Sequence, residues 1–333
     1  MSNSGKPFTV QDVARLAGVS AMTVSRALNT PEKLSPETLK RVQDAVDRLS
    51  YVPNAMASGL RLSRARLVAA LLPTLVGPVF QEMIESLDRS LNRHGYQLMI
   101  GRTGYDAGQE ASLLKAVIQR RPDGIVMIGM TASPEGRKSL QASRIPVVET
   151  WDYSSSPIDM LVGFSHFSIG ETVVQYFHDA GHRKVAIVSA DDTRARSRIA
   201  GFRQRAEALG LPPVTIYYCD APSTIGSGRR GLVDVLTRAP DVTAVFCSSD
   251  TLALGALIEA QHRGIAVPGK LAVVGLGDQE FAKDAPPPLT TVRIDGTRIG
   301  ELAAELIVAR AEGVPIAEPV VDIGFHLVQR SSA

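Results

Sequence analysis

From Leu67 onward the chain alternates short apolar runs with amphipathic stretches, and few folds can satisfy that alternation. The runs LVAALLP, YQLMI, DGIVMIG and IPVVE are separated by helical patterns around 79–93, 108–120 and 134–143. KVAIVSA, VTIYYC, TAVFCSS and LAVVGLG follow, separated by helical patterns near 168–180, 195–208, 224–238 and 251–263. Runs this continuous are strands buried on both faces, so the alternation predicts parallel sheets covered by helices on both sides. About eight core strands exceed one doubly wound unit, which predicts two α/β subdomains. Ligands of such folds sit outside the carboxyl ends of the strands, here between the two halves.

The first 66 residues break this pattern. They carry 10 Lys and Arg against 5 Asp and Glu, whereas the remaining 267 of the 333 residues carry 26 against 29. A basic head on a slightly acidic body suits a protein that holds nucleic acid at one end. No run approaches the ~18 apolar residues of a membrane span. MSNSGKPFTVQDV lacks the apolar core of a secretion signal, so a cytoplasmic protein is expected. Cys219 and Cys247 stand apart with no metal-ligand spacing, which predicts two reduced, packed thiols.

Within the head, TVQDVARLAGVSAMTVSRALN covers residues 9–29. Thr9 and Asp12 have capping-box spacing, and Val10, Val13 and Ala17 follow at helical spacing. Gly18 suits a left-handed stop. Ser20 caps a second helix, with Val24 and Leu28 expected inward and Ala21, Met22, Ser25 and Arg26 outward. Ser35-Pro36 opens a third helix running to about Leu49. Three short helices around a small core make a helix-turn-helix module, although any small bundle needs such caps.

The spacing A-x3-G-V-S-x2-T-V-S-R is more specific. With Ala14, Gly18, Val19, Ser20, Thr23, Val24, Ser25 and Arg26 in register, it resembles the DNA-binding head of the lactose/galactose repressor (LacI/GalR) family. The resemblance implies a DNA-binding head over 1–50, a hinge over 51–66 and an effector-binding and dimerisation domain over 67–333. DNA contacts then fall on Thr9, Ser20, Ala21, Met22, Thr23, Ser25, Arg26 and Asn29. Thr23, Ser25 and Asn29 suit phosphate oxygens, and Arg26 suits a bidentate pair with guanine. Ala21 and Met22 match the family's most variable base-reading positions, where apolar side chains suit thymine methyls. In the hinge, Asn54, Ala57 and Leu60 match a helix that folds on the operator, Leu60 being the wedge that kinks the duplex. Gly59 departs from the usual pattern at a cost of ~1 kcal/mol in helix propensity. Arg61, Arg64 and Arg66 can neutralise phosphates nearby.

The body resembles the periplasmic sugar-binding-protein fold of the same family. That resemblance implies crossings between lobes near 163–164, 290–295 and 319–322. The first lobe would hold 67–163 and 295–318, the second 164–294 and 319–333. The family's effector arginine precedes an apolar-Ala-Gly-aromatic run, which places it on Arg198; Arg194 and Arg196 add charge nearby. Thr74, Phe80, Asp152, Phe164, Ser249, Asp250 and Asp278 match the cleft positions. Trp151 is either a sugar-stacking ring or a buried indole. Where the family commonly has Gly-Tyr-Asp-Asp this chain has Gly275-Leu276-Gly277-Asp278, and Ser249-Asp250 replaces the common Asn-Asp. Exchanging a sugar-binding carboxylate for Gly277 while keeping arginines favours an anionic effector. IPVVETWDYSSSPIDMLVGFSHF is also similar to the gluconate-operon repressors. The expectation is a homodimeric repressor of sugar-acid metabolism on a pseudo-palindromic operator, with gluconate the first candidate effector. A regulator answering a neutral sugar, an activator, and a sugar-acid enzyme on the same body fold are the alternatives.

Other motifs carry less. Gly275-Leu276-Gly277-Asp278-Gln279-Glu280 lacks the third glycine of a dinucleotide loop. His178 and His182 are split by Gly181, so they make a poor metal pair. There is no nucleophile elbow and no phosphate-binding loop, and no cofactor is expected. The final residues, Gln329 to Ala333, show no heptad pattern, which makes a dimer the expected assembly.

Overall fold

The structure is a computed structural model that describes residues 8–52, 65–74, 80–131 and 133–333, with the side chain of Asn29 left undescribed. The chain divides into two compact units, Met1–Ala65 and Arg66–Ala333.

The first unit holds helices α1 (Val10–Ala17), α2 (Ala21–Asn29) and α3 (Pro36–Leu49). Their boundaries follow from local chemistry. The Thr9 amide and hydroxyl both donate to Asp12 Oδ2, at 2.9 and 2.6 Å. Gly18 closes α1 at φ 64°, where a side chain would be strained. Ser20 Oγ accepts from the Thr23 amide at 3.1 Å, and Ser35 Oγ from Thr38 at 3.3 Å. Val13, Ala14, Ala17, Val24, Ala27, Val42 and Ala45 form the core. Leu28, expected inward, is 38% exposed, and Ala27 is buried in its place. Helix α2 leans chiefly on α1, so the Val24–Ala27 ridge fills the small interior and Leu28 falls beyond its edge.

The second unit contains two six-stranded sheets. In the first, the order is β11 (Val320–Asp322), β5 (Met160–Gly163), β4 (Val147–Thr150), β3 (Gly124–Ile128), β1 (Leu67–Leu72) and β2 (Gln97–Arg102). In the second it is β12 (His326–Val328), β10 (Thr290–Arg293), β9 (Ala272–Leu276), β8 (Ala244–Cys247), β6 (Val185–Ala190) and β7 (Thr215–Cys219). All pairings are parallel except β10 with β12. Helices α4 (Gln81–Arg93), α5 (Ala107–Gln119), α6 (Pro134–Ser143) and α11 (Gly296–Glu312) serve the first lobe. The second takes α7 (His166–Asp179), α8 (Thr193–Ala208), α9 (Ile225–Arg238) and α10 (Asp250–His262). Strands β3, β4, β5, β6, β8 and β9 are buried throughout, as parallel sheets covered on both faces require. Among the described residues, no helix is long and apolar enough to cross a membrane.

The chain crosses between lobes after β5, between β10 and α11, and between β11 and β12. The last crossing corrects the expected boundary, which gave 319–333 to the second lobe. Strand β11 lies parallel to β5, and the Leu161 amide donates to the Pro319 carbonyl at 2.8 Å, so 320–322 complete the first sheet. Backbone pairing, which has no side-chain signature in a three-residue strand, sets that boundary.

Candidate functional site

A cleft opens at the carboxyl ends of the strands, between the two lobes, with an empty volume of about 830 Å³ counting its open mouth. Thr74 after β1, Phe80 at the entry to α4, Trp151 after β4 and Phe164 line one side. Arg194 and Arg198 of α8, with Ser248, Ser249 and Gln279 from the strand ends of the second sheet, line the other.

Local chemistry fixes α8. Asp192 Oδ1 accepts from the Ala195 amide at 2.8 Å and caps the helix, aiming its first turns at the cleft. Farther along, Gly170 of α7 and Gly201 of α8 bring the two backbones together. A β-carbon on Gly170 would strike the Arg198 carbonyl, and one on Gly201 the Phe167 carbonyl.

Arg198 is 6% exposed, and its Nη1 donates to His166 Nδ1 at 2.8 Å. A guanidinium has no acceptor, so Nδ1 accepts; the proton sits on Nε2, which donates to the Trp151 carbonyl at 3.0 Å. Burial, followed by the charges of Arg198 and Arg194, holds His166 well below its ordinary 6.5, and the ring is neutral at pH 7. Burial draws Arg198 down to about 10, which leaves it charged. Its Nε has no hydrogen-bond partner, and no ion pair to Arg198 occurs among the described residues. A buried cation in this state has unspent capacity for an anion.

The aromatic side is rigid. Trp151 stands edge-on between Phe80 and Phe164, at centroid distances of 5.1 and 5.6 Å, and donates its indole N–H to Met83 Sδ at 2.9 Å. It is 5% exposed, so it braces the wall and offers little ring face for stacking. The Arg194 guanidinium lies 5.5 Å from the Phe80 centroid and spans the mouth.

Of the expected cleft residues, Thr74, Phe80, Phe164, Arg198 and Ser249 come together around this space. Three carboxylates do not. Asp152 lines an adjoining hollow with Asp106, Thr131 and Arg196, and burial raises its pKa. Asp278 lines a separate depression and pairs with Arg330 at 2.7 Å and Arg293 at 3.6 Å. Asp250 is fully buried, accepting from Thr291 Oγ1 at 2.5 Å and the Gln279 amide at 2.8 Å. It straps the segment after β9 to β10, and burial raises its pKa to about 6. Arg196 also lies outside the cleft, paired with Asp191 at 2.7 Å. Tyr105, His166, Asp192 and Gln279 line the cleft without having been singled out as site residues from sequence. For His166 the available signal was its place two residues after Phe164.

In the head, Ala21, Met22, Ser25 and Arg26 share an exposed surface of α2, with Met22 at 55% exposure and its Sδ 3.7 Å from Arg26 Nη2. Thr9 and Ser20 are exposed caps, and the half-buried Thr23 hydroxyl lies 3.0 Å from Ser20 Oγ. Asn54, Ala57 and Leu60 lie outside the described residues, as does the Asn29 side chain.

Residues 9–54 match the bacterial regulatory proteins of the lacI family, and residues 174–333 match a periplasmic binding protein-like domain. The transcriptional regulator GntR of Pseudomonas aeruginosa is 33% identical, over 99% of this chain and 96% of its own. A LacI-family regulator from Silicibacter pomeroyi superposes with a TM-score of 0.92 at 32% identity, covering 98% of this chain and 99% of that one. The transcription regulator GntR of Chromobacterium violaceum, at 34% identity and a TM-score of 0.77, covers 80% of this chain and 98% of its own. These relatives are regulators and not enzymes, and the chain belongs to the LacI family of DNA-binding transcriptional regulators.

Proposed function

We propose that the protein is a homodimeric repressor of sugar-acid metabolism that releases a pseudo-palindromic operator when a sugar acid, gluconate first among them, enters the cleft. The observation that carries this reading is Arg198, buried and charged in the cleft with its Nε unpartnered and no carboxylate paired to it. A neutral sugar would leave that cation without a direct ion pair, Asp192 and Asp152 acting on it only at longer range, whereas the carboxylate of a sugar acid meets it with charge-assisted hydrogen bonds. Gly277 supports the same conclusion. It sits at φ 131°, a backbone suited to glycine, at the position where the family commonly has a carboxylate that would bind neutral sugar hydroxyls. The similarity to regulators named GntR agrees with this class of effector.

On DNA, Arg26 and Met22 read bases in the major groove, Thr23, Ser25 and Asn29 hold phosphates, and Leu60 of each protomer wedges the central step. Thr9 and Ser20 present capped helix ends to the backbone. Release follows if the effector binds more tightly to the lobe arrangement that separates the hinges, by the difference between its affinities for the two states. A thermal-shift series on the full chain tests the reading, with gluconate, its 6-phosphate and keto relatives set against glucose. A gel shift with the responding compound completes it. Stabilisation by gluconate with loss of the shifted band is expected. Stabilisation by glucose alone would replace the sugar-acid reading with a neutral-sugar regulator.

A further inference from the structure

The geometry points to His166 as the residue that keeps Arg198 available to an anion, by fixing the guanidinium with a neutral acceptor where a carboxylate would cancel its charge. This inference rests on the sugar-acid reading for its ligand and on the structure alone for its geometry. His166 opens α7 directly after the chain leaves the first lobe, and it is 4% exposed. One ring nitrogen accepts from Arg198 of the second lobe and the other donates to the Trp151 carbonyl of the first. Both nitrogens are therefore committed, and the ring has one permissible protonation state. The other charged groups around this pair are Arg194, Asp152 and Asp192; the two carboxylates favour the charged guanidinium from a distance, and neither is within ion-pair distance of Arg198.

A buried arginine is ordinarily held by Asp or Glu, which orients it and neutralises it together. Histidine does the first without the second. Two further features keep the arrangement rigid. The Gly170–Gly201 approach sets the spacing of the helices that carry His166 and Arg198. The edge-on contact of Phe164, 4.8 Å from the His166 ring, fixes the imidazole plane. His166 is thus a positioning residue, whose chemistry acts through Arg198.

The test has two arms, both on the full chain. In the first, heteronuclear NMR of the histidine ring nitrogens identifies the His166 signals by their loss in His166→Asn. The expected ring is the Nε2–H tautomer, with Nδ1 displaced by an accepted hydrogen bond that vanishes in Arg198→Met. An Nδ1–H tautomer, or an Nδ1 signal unmoved by Arg198→Met, overturns the assignment. In the second arm, calorimetry measures sodium gluconate binding to His166→Asn and His166→Asp, which differ in charge and hardly in shape. The Asp variant should bind at least about 30-fold more weakly than the Asn variant, on the scale of a lost buried charge pair. Equal affinities overturn the inference. If the unmodified protein ignores gluconate while the NMR arm holds, the effector reading fails and the positioning role stands. If the Asp variant does not fold, the NMR arm decides.

Discussion

In the proposed reading the head and the body each present an arginine to a ligand, and the structure builds the two settings in opposite ways. Arg26 is exposed on a nine-residue helix whose ends are closed by neighbours three or four residues away, Ser20 with Thr23 at one end and Thr30 with Arg26 at the other. Arg198 is buried, and the groups that hold it come from elsewhere in the chain: His166 is 32 residues distant and Trp151 another 15. A polyanionic duplex brings its own charge and counterions, so a solvated arginine on a locally capped helix suffices. A small anion must be drawn from water into a cleft, which takes a desolvated cation held in place beforehand.

The largest test of this contrast is Arg198→Ala. Gluconate affinity should fall by more than about 30-fold, the scale of a broken buried charge pair, as measured by calorimetry. Arg26→Ala should instead remove ~1–3 kcal/mol of discrimination between operator and random DNA in a competition gel shift. If either variant damaged both activities equally, the division between head and body would break. Gly170→Ala comes next. The added β-carbon meets the Arg198 carbonyl and should cost ~1–3 kcal/mol of body stability in chemical denaturation, with weaker gluconate binding as α7 and α8 part. Ser35→Ala removes only a local cap and should lower head stability by about 1 kcal/mol, leaving the body transition in place.

The smallest effect is pH dependence, and it should be confined to the body. Residues 1–66 contain no histidine. His166 has its folded pKa depressed, so below about 6.5 the unfolded chain takes up a proton that the folded ring refuses, and stability falls on acidification. Asp250 acts in the opposite sense. Its folded pKa is raised from 3.8 to about 6, so its contribution is present at low pH and is lost as pH rises through 6. His166→Asn should therefore reduce the loss of body stability between about pH 6.5 and 5, and Asp250→Asn should deepen it. Thermal melts across that interval check both, with the head transition unchanged.

Much of the molecule was legible before any coordinates. The eight apolar runs are all strands; six lie inside a sheet, where parallel strands buried on both faces are continuously apolar, and β2 and β7 are the half-exposed edges. Strands β5, β10, β11 and β12 were not legible. They are short and lie at the crossings between lobes, where backbone pairing defines them. Helix α11 was missed as well, although Ile299, Ala303, Ala304 and Ile307 are buried along it. Of the cleft residues expected from resemblance, Phe80, Phe164 and Arg198 line the cleft, whereas Asp152, Asp250 and Asp278 do not. Asp250 and Asp278 follow strand ends as cleft residues should, yet each turns to partners in the crossing segments.

By itself the sequence determined the helix caps of the head, the alternation that makes two parallel sheets, and the positions where charge is placed along the chain. These depend on interactions within a few residues or on burial of a continuous run, both of which are written in order. Tertiary structure alone decided which charges remain free. Asp250 is consumed by Thr291 and Asp278 by Arg293 and Arg330, whereas Arg198 meets a neutral histidine brought to it by the approach of two glycines. Whether a charge is spent or available depends on what folding places within about 3 Å of it, and linear spacing does not encode that distance.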